Sequence, residues 1–394
     1  MGTTRNEAGG RNDRAGGRDR APRRGVDSDG APPAIAALDL GTNNCRLLVA
    51  RPEGESFVVI DAFSRAVRLG EGLGEGLGEG VEHSNQLGSA AQNRALKALR
   101  ICAAKIRRHR VTDARIIATA ACRRAVNGAG FIRRVTREVG LQMEIISAEE
   151  EARLAVAGCA PLIDPEAEQL LVFDIGGGST ELIWIDMSRT PPGRRVSLIR
   201  TLAPTGANGA ESANARAAAN HIADWISVPM GVSTLHERFA STGDAARRFA
   251  AMSAHFEEHL APFIPYQTER RAALTRRLQI IGVSGTATTF GALHLGLRSY
   301  DRGKVDGLWL PRERATELTE RMLSLGAGRA ADPEFGSEFG GGIGPGRAEL
   351  MLSGAAILMT ILRAWPVARL RIADRGLREG MLYGLLQQRR IAAQ

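Results

Sequence analysis

Two stretches of this chain are built alike. IAALDLGTNNCRLLVA starts at Ile35, and LLVFDIGGGSTELIWI starts at Leu170. Each reads as an apolar strand, a glycine-containing turn and a second apolar strand. Asp39 and Asp174 hold the same place at the end of the first strand, 135 positions apart. Two copies of one supersecondary unit at a domain-sized interval point to a duplicated α/β fold with a cleft between its halves. The 394 residues suffice for two such domains. The expected division is a disordered tail over 1–33, poor in residues that could be buried, then domains over 34–160 and 161–394. The last helix is expected to pack back on the first domain.

Between and beyond the copies the pattern is mixed. Gln86–Arg110 carries Leu96, Leu99, Cys102 and Ile106 at helical spacing. Ala114–Ala120 reads as a strand, Ala129–Val139 as a helix stopped by Gly140, and Met143–Ile146 as a strand. EGLGEGLGEG (71–80) fits no dinucleotide fingerprint and reads as a flexible loop. Residues 189–217 read as a polar, mobile stretch, followed by helical patterns. A third glycine element, LQIIGVSGTATTFGALHLGL, runs from a strand through a glycine turn into a helix. The end, ARLRIADRGLREGMLYGLL, reads as a strand and a helix.

A strand-end Asp followed by a Gly and Ser/Thr loop exposes backbone N–H groups that can cradle phosphate oxygens, while the Asp can hold a metal ion. The alternative is a tight hairpin that needs glycine for its turn. Gly282-Val-Ser284-Gly285-Thr286 opens a helix, where free N–H groups attract anions or Ser284 or Thr286 acts as a cap. In Ser147-Ala-Glu149-Glu150-Glu151, Ser147 and Glu150 form a capping box, and Glu149 suits the first turn of a helix. Glu151 has no such local duty. Its face continues through Ala155 and Gly158, which lets another backbone or a ligand approach closely, and a carboxylate there could act as a general base, the alternative being a solvated first-turn acid. Arg46, Arg123 and Arg124 abut the loops and strand ends, where Arg suits bidentate phosphate contacts.

Charge narrows the partners. Lys and Arg number 52 against 43 Asp and Glu, so the net charge of +9 favours anionic ligands. Only 5% of residues are aromatic, which argues against a base-stacking platform and a nucleic-acid partner. Cys45, Cys102, Cys122 and Cys159 show no paired spacing, as in a reducing, cytoplasmic setting. The longest apolar run, Gly354–Leu362, falls short of the roughly 18 residues of a membrane helix, and 1–33 lacks a secretory apolar segment. His255-Phe-Glu-Glu258-His259 fits the H-x-x-E-H spacing of a zinc protease. On a charged amphipathic helix its histidines read as a solvent face, and no zinc is expected.

DLGTNNCRLLVA, ATAACRRAVN, ISAEEEARL, VFDIGGGSTEL, VSGTATTFGAL and DRGLREGML together are specific. From Ile35 to Leu385 the chain resembles the exopolyphosphatase/guanosine pentaphosphate phosphohydrolase family of the actin–sugar kinase–heat-shock chaperone superfamily. The resemblance implies two ribonuclease-H-like, actin-like ATPase domains and Mg²⁺-dependent hydrolysis of a terminal phosphoanhydride. It places the catalytic glutamate at Glu151 and the catalytic aspartate at Asp174, with Asp39, Asp174 and Glu151 near the metal. Gly41, Thr42, Asn43, Asn44 and Cys45 match phosphate-binding positions, as do Gly176, Gly177, Gly178, Ser179 and Thr180. So do Ser284, Gly285 and Thr286, while Arg46 and Arg123 match basic positions beside them. A homodimer is a further expectation from the family.

Three departures stand out. The first loop reads Gly-Thr-Asn-Asn-Cys where Gly-Ser-Asn-Ser is common, so its hydroxyl contacts are not carried over. The ending reads ADRGLREG where DGALREG is common, a change expected to shift a loop near domain closure and not to touch the chemistry. Fourteen residues follow Gly380, fewer than the added helical domains of longer members need, so grip on long polymers is expected to level off. On charge, inorganic polyphosphate is the expected substrate and guanosine pentaphosphate the alternative. A small-molecule kinase or ATPase of the same superfamily would need an adenosine pocket and leave Glu151 idle. A non-catalytic alarmone sensor would not need Glu151, Asp39 and Asp174 together.

Overall fold

The structure, a computed structural model, describes residues 32–73, 85–204, 213–263, 277–325 and 350–393. All but Pro32 and Pro33 of the expected tail over 1–33 and most of the 71–80 repeat lie outside the described residues, as does 205–212.

The strands are β1 Ile35–Leu40, β2 Asn44–Glu53, β3 Ser56–Ala66, β4 Asp113–Ala118, β5 Glu144–Ile145, β6 Gln169–Ile175, β7 Thr180–Asp186, β8 Ile222–Val228, β9 Leu278–Val283, β10 Trp309–Pro311 and β11 Arg369–Ala373. The helices are α1 Ser89–Arg108, α2 Ala120–Arg124, α3 Gly128–Val139, α4 Ala148–Gly158, α5 Pro192–Thr201, α6 Ala213–Ala219 and α7 Val232–Arg238. After them come α8 Ala245–Leu260, α9 Ser284–His294, α10 Arg302–Val305, α11 Arg312–Leu325, α12 Met351–Ala364 and α13 Leu377–Ala393.

The duplication extends to topology. The first sheet runs β3-β2-β1-β4-β5 and the second β8-β7-β6-β9-β11-β10. In each, the first three strands form an antiparallel meander and the next two lie parallel beside the first strand. The second sheet adds β10 antiparallel at its edge. Apart from that added strand, the two sheets share one strand order and one pattern of polarity.

Both faces of both sheets are covered, which is why IAALDL and LLVFDI are nearly continuous apolar runs. Alternate residues divide between layers. Leu38 and Leu40 of β1 with Leu47 and Val49 of β2 face an outer core shared with Leu96 and Leu99 of α1 and Phe131 of α3. Leu171 and Phe173 of β6 with Leu182 and Trp184 of β7 face another outer core, against Phe256 of α8, Phe290 of α9 and Trp365. The opposite faces meet in the middle. Ile35 and Ala37, Leu48 and Ala50, Leu170 and Val172, and Ile183 and Ile185 share one core with Leu154 and Val156 of α4 and Leu382 and Leu385 of α13.

Helices α4 and α13 therefore fill the layer between the sheets. They touch backbone to backbone. A Cβ on Gly380 would stand 2.0 Å from the Leu154 carbonyl oxygen, and one on Gly158 1.9 Å from that of Gly376. The approach anticipated at Gly158 is made by the turn before α13. Gly380→Ala is expected to destabilise the protein by about 1–3 kcal/mol through forced separation of the helices. An unchanged melting temperature would contradict this.

Several local readings change. The stretch 189–217 contains α5 and the start of α6. Strand β8 lies where helical patterns were expected, and β3 was not anticipated. Each completes a meander, so its extended form is fixed by pairing with β7 or β2. The strand expected over 143–146 is the two-residue β5, and that over 114–120 ends at Ala118 so that α2 can begin. No described helix is long and apolar enough to cross a membrane.

Candidate active site

Strand parity decides which side chains reach the cleft. Asp39 continues the Ile35–Ala37 row and Asp174 the Leu170–Val172 row, so both face the middle layer. Across each hairpin, Asp39 pairs in register with Arg46 and Asp174 with Glu181. Arg46 and Glu181 lie on the rows of Leu48 and of Ile183, so they face the same way. The hairpins close identically: Gly41 N–H donates to Asn44 O and Gly176 N–H to Ser179 O, both at 2.9 Å.

The same parity corrects two expectations. Cys45 lies on the outer row of β2, fully buried, its sulfur 3.9 Å from that of Cys102 on α1. Thr180 lies on the outer row of β7, fully buried, and donates its hydroxyl to Met230 O at 2.7 Å. Neither side chain is available to a ligand.

The two loops meet across the cleft. Asn43 Nδ2 donates to Ser233 Oγ of α7 at 3.3 Å. A Cβ on Gly177 would stand 2.3 Å from Asn43 Nδ2, and one on Gly178 3.7 Å from Thr42 Oγ1 and 3.6 Å from Arg124 Nη1. A side chain at 177 would have to displace the Asn43 amide of the opposing loop. Val232 and Ser233 N–H groups hold the Gly176 and Gly177 carbonyls at 2.9 Å, which fixes the second loop.

Three helix N-termini open into this space. α4 presents Glu151, α9 presents Ser284, Gly285 and Thr286, and α13 presents Leu377, Arg378 and Glu379. Ser284 joins β9 directly to α9 with φ +72°, and its hydroxyl donates to Ile175 O at 2.7 Å. That strained backbone replaces the expected glycine turn. Thr286 is nearly buried, and Gly354 gives its side chain room. Asp39, Arg46, Glu151, Asp174, Glu181 and Arg378 line one cleft with Gly41, Thr42, Asn43, Asn44, Gly176, Gly177, Gly178, Ser179, Ser284, Gly285 and Thr286. Arg123 stands behind, donating through Nη1 to Glu151 Oε2 at 3.1 Å and to Ile146 O at 2.9 Å.

The neighbouring acids are occupied elsewhere. Ser147 Oγ accepts from Glu150 N–H at 3.1 Å, but the Glu150 carboxylate pairs with buried Arg115 and does not complete the capping box. Glu149 is exposed.

Four carboxylates converge with few cations, and their acidities show it. Burial pushes Asp39 up to about 6, against the pull of Arg46 and Arg378. Burial and Asp174 push Glu181 up to about 7. Burial and Glu181 hold Glu151 well above the usual carboxylate range, with Arg123 opposing. Burial also raises Asp174, with Ser284 and Arg46 opposing. Raised pKa values mean that the folded protein keeps protons the unfolded chain has lost, so stability is lost as pH rises through them. Without divalent metal, the melting temperature is therefore expected to fall steadily as pH rises from about 4 to about 7. The slope should flatten in Asp39→Asn. A slope identical in that variant would contradict the assignment.

Sequence reading missed Glu181 and Arg378. The 135-residue interval that carries Asp39 to Asp174 also carries Arg46 to Glu181, so the first was within reach. Arg378 forms no hydrogen bond or ion pair among the described residues. It stands close enough to Arg46 and Asp39 to feel both charges, and burial with the Arg46 charge lowers its pKa from the usual guanidinium value. The H-x-x-E-H histidines do not line this cleft. His255 is only 16% exposed, so the expected solvent face is half wrong.

A family model described as the Ppx/GppA phosphatase family matches residues 49–389. The solved Aquifex aeolicus PPX-GPPA enzyme is similar at 26% identity with a TM-score of 0.65, over 89% of this chain and 98% of that one. An exopolyphosphatase-like protein is similar at 26% identity and a TM-score of 0.70, over 91% and 98%. A Cytophaga hutchinsonii exopolyphosphatase at 22% identity shares the fold, with a TM-score of 0.68 over 90% and 98%.

Proposed function

The chain belongs to the Ppx/GppA phosphatase family, and we propose that this phosphatase releases the terminal phosphate of inorganic polyphosphate, with guanosine pentaphosphate as a secondary substrate. The observation that carries the reading is the convergence of Glu151, Asp39, Asp174 and Glu181 with three phosphate-sized backbone loops in one cleft. Backbone N–H groups of the loops and the three helix N-termini suit successive phosphates. Arg46 and Arg378 line the same cleft, and their guanidinium groups would meet phosphate oxygens directly. Glu151, at a helix start beside Arg123, is poised to accept a proton from the attacking water at a carboxylate oxygen.

The residues also fit Mg²⁺. Asp39 Oδ1 is buried with no hydrogen-bond partner among the described residues, and oxygen-only donors suit that ion. Asp39 and Asp174 would hold it, with Glu151 and Glu181 near, and it would offset phosphate charge. All four cysteines are buried free thiols, which supports a cytoplasmic setting.

A polymer would extend beyond Arg46 and Arg378 over the surface of a chain of net charge +9, so its binding should weaken steeply with salt, and that of the nucleotide less. The test is phosphate release from polyphosphates of defined length and from guanosine pentaphosphate at two salt concentrations. If the nucleotide has the higher kcat/KM at every length and salt, the substrate assignment fails. Arg378→Gln should raise KM about 10- to 100-fold, the loss expected for one charge-assisted bond. An unchanged KM for both substrates would remove Arg378 from the binding site.

A further inference from the structure

We infer that α8 carries a second metal site, for a divalent transition-metal ion, built from His255, Glu258 and His259. These positions share one face of the helix, and their donor atoms lie within 4.8 Å of one another. His255 Nδ1 is 3.5 Å from Glu258 Oε2, and the two imidazole rings meet edge-on with centroids 4.9 Å apart.

The histidines are prepared as ligands. His259 Nδ1 lies 2.9 Å from the His255 carbonyl oxygen. Only a protonated nitrogen bonds a carbonyl, so Nδ1 carries the proton and the Nε2 lone pair is left free. His255 packs against the Phe239 ring at 5.6 Å, and its Nε2 is buried with no hydrogen-bond partner among the described residues. A buried polar nitrogen left unpaired is uncommon and calls for a partner that none of the described residues supplies. Glu258 is 73% exposed, so an ion can enter from solvent and keep water in a remaining position.

Donor chemistry separates this site from the cleft. Two imidazoles and one carboxylate suit Zn²⁺, Co²⁺, Ni²⁺ or Cu²⁺, whereas Mg²⁺ takes oxygen donors. None of the three residues lines the cleft. An ion joining positions 255, 258 and 259 would staple the last turns of α8.

The test uses the full chain without a histidine tag, with Mg²⁺ in excess. Zn²⁺ binding is measured by equilibrium dialysis and Co²⁺ binding by visible absorption. One equivalent is expected at micromolar or lower dissociation constant, with a raised melting temperature. Glu258→Gln and His259→Gln should each weaken binding by at least about tenfold. Both are at positions whose side chains can change without repacking the core. The site is overturned if the wild type binds no stoichiometric Zn²⁺ below about 100 μM. It is equally overturned if the folded double variant binds Zn²⁺ and Co²⁺ as the wild type does.

Discussion

Glu151→Gln should lower phosphate release by about 10²–10⁴-fold with substrate binding retained, the range for loss of a general base. The change keeps the shape of the side chain and its contact with Arg123 Nη1, now through an amide oxygen. It also removes one of four crowded carboxylates, so the melting temperature should hold or rise while activity collapses. A structural role for Glu151 would move both together. Glu149→Gln is the control, because Glu149 is exposed and outside the cleft. Equal losses in the two variants would contradict the assignment.

Asp39→Asn and Asp174→Asn should each raise the half-saturating Mg²⁺ concentration by about tenfold or more, equivalent to about 1.4 kcal/mol. Asp39 is the cleaner test of metal binding as such, since its Oδ1 has no hydrogen-bond partner to lose among the described residues. Asp174 lies beside Ser284, so its replacement also changes the support of the third loop. Both variants are expected to be more stable than the wild type without metal, because a carboxyl whose pKa burial holds above its ordinary value becomes a neutral amide. An unchanged Mg²⁺ titration in both would show that neither helps to hold the ion.

The duplicated hairpins were legible because the fold demands them twice, with Asp39 and Asp174 marking the same turn. Assigning every residue of a loop to the ligand went too far. A strand reverses its side chains at each step, so Cys45 and Thr180 belong to the outer cores although their neighbours face the cleft. Glu181 was hidden in a strand that reads as apolar, and only its register opposite Asp174 exposes it. Arg378 was beyond sequence reasoning for another reason. It reaches the cleft because α13 crosses α4 at Gly158 and Gly380, a contact between segments more than 200 residues apart. β3 and β8 were missed because their partners, β2 and β7, dictate their conformation more than their own composition does.

The central claim is that the cleft directs water onto a terminal phosphoryl group. Its most direct test is turnover of polyphosphate in ¹⁸O-labelled water, with and without Mg²⁺. The expected result is Mg²⁺-dependent release of orthophosphate, each molecule carrying one solvent oxygen, with the shortened chain unlabelled by that step. Tight binding of polyphosphate or guanosine pentaphosphate with no orthophosphate released from either would make the protein a sensor and contradict the account.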